Sequence, residues 1–82
     1  SLHRAGKKQE ALQYALKLMH ETDSLPRLDI NRIEMIHHVG WLNNDLKRYS
    51  DARPYFIKSL ALYQERERAA LTDPALAREQ PP

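Results

Sequence analysis

Eighty-two residues suffice for one small domain, and 41% hydrophobic and 29% charged residues with two glycines fit a helical chain rather than a β-rich or disordered one. The absence of cysteine excludes disulfide and thiol chemistry. Thirteen basic and eleven acidic residues leave a net charge of +2, too small an excess for a basic field, and no apolar run approaches the roughly 18 to 20 residues of a membrane span.

The opening Ser1-Leu2-His3-Arg4 lacks the apolar stretch of a secretory signal, so a cytoplasmic location is expected. Gly6 reads as the stop of an earlier helix, because glycine takes the left-handed conformation that ends helices without steric cost. From about residue 7 to 21, Ala11, Leu12, Ala15, Leu16 and Met19 recur at three and four residues and predict an amphipathic helix.

Thr22-Asp23-Ser24-Leu25-Pro26 is a polar break, with Pro26 placed where a helix can begin. The next segment, about 28–47, carries apolar residues on two faces. Ile33, Ile36 and Gly40 lie on one, and Met35, Val39, Leu42 and Leu46 on the other, which predicts a central helix packed on two sides.

Lys47-Arg48-Tyr49-Ser50 forms the following turn. Ser50 or Asp51 is expected to cap a third helix, with Pro54 in its first turn, where a missing N–H costs little. Ala52, Phe56, Leu60 and Tyr63 form its stripe, and Glu65-Arg66-Glu67-Arg68 extends it into solvent. Thr72-Asp73-Pro74 signals a fourth, short helix over 73–80, ended by Pro81-Pro82. The expected fold is all-α: antiparallel helical hairpins, three main helices and a short C-terminal one.

Gly6-Lys7-Lys8-Gln9-Glu10-Ala11 superposes on Lys47-Arg48-Tyr49-Ser50-Asp51-Ala52, each a turn leading into a helix with an early inward alanine, and the alanines are 41 positions apart. A period of this size suggests stacked hairpins, since a lone hairpin cannot bury its own apolar faces. Residues 1–22 would then end one repeat, 28–70 form a complete one, 73–80 begin another helix, and 81–82 form a tail, all within one domain.

From Ile36 to Tyr63 the chain resembles the tetratricopeptide repeat, through Ile36, Val39 and Gly40 in its helix A and Tyr49, Ala52, Phe56 and Leu60 in its helix B. The usual repeat is about 34 residues; the longer spacing is similar to the extended variety, about 42 residues, of kinesin light chains and bacterial signalling proteins. Asn43, Ser59 and Ala15 depart from the family pattern. The resemblance implies an α-solenoid piece in which Gly40, Tyr49, Ala52, Phe56 and Leu60 are structural, Gly40 and Ala52 letting the helices approach while Phe56 fills the space beside them.

It also implies a concave wall, lined by Glu34, His37, His38, Trp41, Asn44 and Asp45, that binds a peptide or protein segment. The lysine and asparagine clamp used by other members for a free C-terminus is absent. Trp41 either anchors a partner or packs on a neighbouring hairpin. His37 and His38 are side chains able to change charge near neutral pH and so to favour an acidic partner in acid. The alternatives to a peptide adaptor are a self-association module forming a homo-oligomer, or a regulatory sensor segment of a larger signalling protein.

Glu34 and His37 have the Glu-x-x-His spacing of di-iron bundles, but that spacing occurs once, and a dinuclear site needs two such pairs. No phosphate loop, nucleophile setting or paired carboxylates are present, so neither catalysis, a cofactor nor a metal is expected. Lys7, Lys8, Lys47, Arg48, Arg53 and Lys58 interleave with acidic residues and lack an aromatic platform, which argues against nucleic acid as a partner.

Overall fold

Three helices, α1 (Leu2–Thr22), α2 (Ile30–Asp45) and α3 (Tyr49–Ala70), make up the computed structural model, which describes residues 2–74 and, of their side chains, those from Gly6 onward. No strand occurs among the described residues, so the chain is all-α. The expected fourth helix lies, beyond Pro74, outside the described residues.

Helix α1 runs straight through Gly6, whose φ is not positive, so no earlier helix ends there. A glycine terminates a helix only where the chain leaves it through the left-handed region; strong helix formers on both sides carry this helix past a cost of roughly 1 kcal/mol. Leu12 and Ala15 are buried on its inner face, with Leu16 and Met19 packed beside them, whereas Ala11 is exposed. The superposition of Ala11 on Ala52 therefore fails. Successive helical residues are rotated by about 100°, so the stripe through Leu12, Ala15 and Met19 turns Ala11 outward.

The connection over residues 23–29 is tied to α1 by Asp23 N–H, which donates to the His20 carbonyl at 3.2 Å, and by the Ser24 hydroxyl, which donates to the Glu21 carbonyl at 3.0 Å. Pro26 lies in a turn closed by Asp29 N–H donating to its carbonyl, ahead of the helix rather than at its start. Asp29 is the N-cap of α2, its carboxylate accepting from Asn31 N–H at 2.8 Å. Such a cap satisfies a first-turn donor that the helix cannot satisfy itself.

At its other end α2 closes on a Schellman turn. Arg48 N–H donates to the Asn43 carbonyl and Lys47 N–H to the Asn44 carbonyl, both at 2.9 Å, while Lys47 takes φ 61°. This turn delivers the chain directly into α3, so Arg48 occupies the N-cap position without a side-chain bond, and Ser50 and Asp51 fall inside the helix instead of capping it. The Asp51 and Ala52 N–H groups both donate to the Arg48 carbonyl. Pro54 consequently sits in the second turn of α3, not the first. It removes the bond to the Ser50 carbonyl, and because both residues are exposed, water can take its place.

Helix α2 packs against both neighbours, whereas α1 and α3 make few direct contacts. The two-faced pattern of α2 corresponds to two buried clusters. Val39 joins Leu12 and Ala15 of α1, with Met35, Leu42 and Leu46 alongside; Ile33 and Ile36 join Leu62 of α3. Tyr55 touches both. Ala52 is buried, and a Cβ at Gly40 would stand 2.9 Å from Cδ1 and Cε1 of Phe56, so the absence of a side chain at Gly40 permits the contact between α2 and α3. Tyr49 and Leu60, expected to pack, are instead largely exposed, because their side of α3 has no neighbouring helix among the described residues.

Arg66 departs from the expected solvated extension of α3. It is 2% exposed and its Nη1 donates to the Leu28 carbonyl at 2.6 Å, holding the α1–α2 connection against α3. Its neighbours Glu67 and Arg68 are exposed, as expected.

Candidate functional site

The outward face of α2 presents Glu34, His37, His38 and Trp41 at intervals of three and four, which places them in one row along the helix. They form the floor of an open cleft of about 580 Å³. Leu18 and Thr22 of α1 border one side and Tyr63 of α3 the other, with Asn31 and Met35 completing the floor. The cleft exists because α2 is flanked on both sides while, among the described residues, nothing covers its third side.

Trp41 is 50% exposed at the edge of this cleft. Its indole N–H donates to His37 Nε2 at 2.8 Å, one helical turn back. Nε2 must be unprotonated to accept, which puts the ring hydrogen of neutral His37 on Nδ1, 3.4 Å from the Ser59 oxygen. The buried Ser59 hydroxyl in turn donates to the Phe56 carbonyl at 3.1 Å. A chain of polar contacts thus runs from Trp41 through His37 to the backbone of α3 and fixes the His37 tautomer.

Around that chain the aromatic rings meet edge-on or tilted. The His37 centroid lies 5.6 Å from Phe56, 6.1 Å from Tyr63 and 6.2 Å from Trp41, and Trp41 lies 5.8 Å from Phe56. These are favourable geometries for ring quadrupoles and hold Trp41 in place although half its surface is open. A second, smaller hollow of about 270 Å³ shares His37 and Tyr63 with the cleft and is completed by Phe56, Ser59 and Leu60. The Tyr63 phenol is pushed above its ordinary pKa, first by burial and then by the nearby Glu34 carboxylate.

Of the six wall residues expected from the sequence, the cleft brings together Glu34, His37, His38 and Trp41. Asn44 and Asp45 lie beyond it in the last turn of α2, where the Asn44 carbonyl serves the Schellman turn. Leu18, Thr22, Asn31, Met35 and Tyr63 line the cleft without having been expected there. For Tyr63 the signal was present, since it stands seven residues after Phe56 and so on the same face of α3; Leu18 and Thr22 depend on how α1 crosses α2.

Asn43, a departure from the repeat pattern, is buried and donates from Nδ2 to the Val39 carbonyl at 3.0 Å, so its polarity is satisfied within its own helix. Among the described residues no group of three or more His, Asp or Glu side chains could hold a metal, and no helix is long and apolar enough to cross a membrane. Comparison of the chain with family models, curated proteins and solved structures returns no match.

Proposed function

We propose that the chain is a protein–protein interaction module of tetratricopeptide type, part of an α-solenoid of antiparallel hairpins, that binds a segment of a partner protein in the cleft on α2. The observation that carries this reading is Trp41: a large amphipathic ring, half exposed, held rigid by His37 and bordering an apolar cleft. Such a ring buries much apolar area with little loss of conformational freedom when a partner covers it. The repeat character is supported by Gly40 against Phe56 and by the buried Ala52, the small residues that the family's hairpin needs. On this reading the protein works in the cytoplasm, without catalysis or a cofactor, and neither nucleic acid nor a membrane is its partner.

Selection of peptides from a displayed library on the immobilised chain tests the reading. Selected peptides should lose most of their affinity for a Trp41→Ala protein whose circular dichroism is unchanged. Peptides that bind the variant equally well would place recognition elsewhere.

A second reading, self-association, is favoured by Ile57 and Leu60, each more than half exposed on α3. Sedimentation over a concentration range separates the two, since a stable dimer formed without peptide supports the second and a monomer that captures peptide supports the first.

A further inference from the structure

We propose that the cleft recognises a cationic side chain, arginine or lysine, flanked by an apolar residue of the partner segment. This rests on the reading of the cleft as a peptide site and specifies what that site selects.

Among the described residues lining the cleft, Glu34 alone is a carboxylate, and none is a lysine or arginine. Glu34 is exposed at the cleft floor. Glu34 takes part in neither the His20–Asp23 nor the Arg27–Glu65 ion pair, so it stands outside the ion pairs seen among the described residues. Its field reaches across to α3, where it contributes to the raised pKa of the Tyr63 phenol. A carboxylate left unpaired beside an apolar hollow disfavours an acidic ligand and attracts a cation.

The aromatic lining has the same preference. Trp41 and Tyr63 border the cleft, and a guanidinium or ammonium over an indole or phenol face is attracted by the ring quadrupole, more strongly where water is partly excluded. His37 does not oppose this while it is neutral and accepts the Trp41 hydrogen bond. The adjoining hollow, formed among the described residues by His37, Phe56, Ser59, Leu60 and Tyr63, has no carboxylate, lysine or arginine among them and suits an apolar side chain next to the cation. The aliphatic stem of an arginine or lysine can lie along the same surface.

Trp41 is the chain's single tryptophan, so its emission reports on the cleft directly. The probes are three capped nine-residue peptides in a serine and alanine background, with a central arginine, citrulline or glutamate flanked by leucines. They are titrated at neutral pH into the parent chain and into Glu34→Gln, whose circular dichroism should match that of the parent because the position is exposed. The arginine peptide should bind about five- to tenfold more tightly than the citrulline peptide, with the glutamate peptide weakest. Glu34→Gln should erase most of that preference.

Equal binding of all three peptides, or tightest binding of the glutamate peptide, overturns the cation assignment and leaves the cleft as a peptide site. An arginine preference that survives Glu34→Gln overturns it as well. If no peptide perturbs Trp41 at millimolar concentration, the peptide-site reading falls together with this one.

Discussion

Replacing Gly40 by alanine adds one methyl group where α2 meets α3. Its Cβ would stand 2.9 Å from two ring carbons of Phe56 and 3.2 Å from Tyr55 Cβ, whereas carbon atoms rest at about 3.5 to 4.0 Å. The Phe56 ring can swing only by disturbing its contacts with Trp41 and His37, and Tyr55 Cβ moves only with the backbone of α3. Overpacking of this kind costs about 1–3 kcal/mol. Alanine restores about 1 kcal/mol of helix propensity, because Gly40 has ordinary helical φ and gains nothing from being glycine. With two separate contacts breached, a net loss of about 1–2 kcal/mol is expected, equivalent to a fall in Tm of roughly 5–15 °C for a domain of this size. Urea unfolding followed by circular dichroism measures it, and Trp41 emission should change in the native baseline because Phe56 supports that ring. Pairing the substitution with Phe56→Leu should recover part of the loss, the remainder belonging to Tyr55. A Gly40→Ala protein as stable as the parent would refute the close-packing account of the α2–α3 contact.

Lys47→Gly should stabilise the chain by about 1 kcal/mol in the same urea assay, because glycine adopts the left-handed φ of this turn without the penalty a side chain incurs. Arg66→Met should destabilise it by about 1–3 kcal/mol although the new side chain is apolar and of similar length, since the Leu28 carbonyl loses its donor; native-state hydrogen exchange should increase first in residues 23–29. Tyr63 favours its neutral form in the folded state, so its contribution to stability is complete below pH 10, the ordinary phenol value, and is lost as pH rises through its higher folded pKa. Absorbance titration near 295 nm should show a late-titrating component that is missing from Tyr63→Phe, and that variant should lose less stability in alkali than the parent.

Periodicity was a good guide for α2 and a poorer one for its neighbours, where Ala11 of α1 and Leu60 of α3 fall in the expected stripes but are exposed. The two apolar faces of α2 were readable because residues three and four apart share a face whatever the helix packs on, and they correspond to the clusters at Val39 and at Ile33 and Ile36. The closeness required at Gly40 and Ala52 was likewise legible, through small residues opposite a large one. Boundaries were less so. Asp29 before Ile30 was an available cap signal that the proline three residues earlier obscured, and Lys47 carries no local mark of its left-handed φ. Arg66 was misplaced because its charge was weighed above its position: it follows Ser59 by seven and Leu62 by four, on the buried side of α3.

By itself the sequence determined that this chain is helical, where α2 and α3 lie to within a few residues though not that α1 runs through Gly6, and which face of α2 stays polar, because these follow from backbone preference and a 3.6-residue period that act locally. Only the tertiary structure decided that Leu18, Thr22 and Tyr63 border the cleft, that Trp41 is held by His37, and that Tyr49 and Leu60 remain uncovered. Those outcomes depend on how far each helix is rotated about its axis and where it crosses its neighbour. Side-chain shape across the interface sets both, and no single helix contains that information.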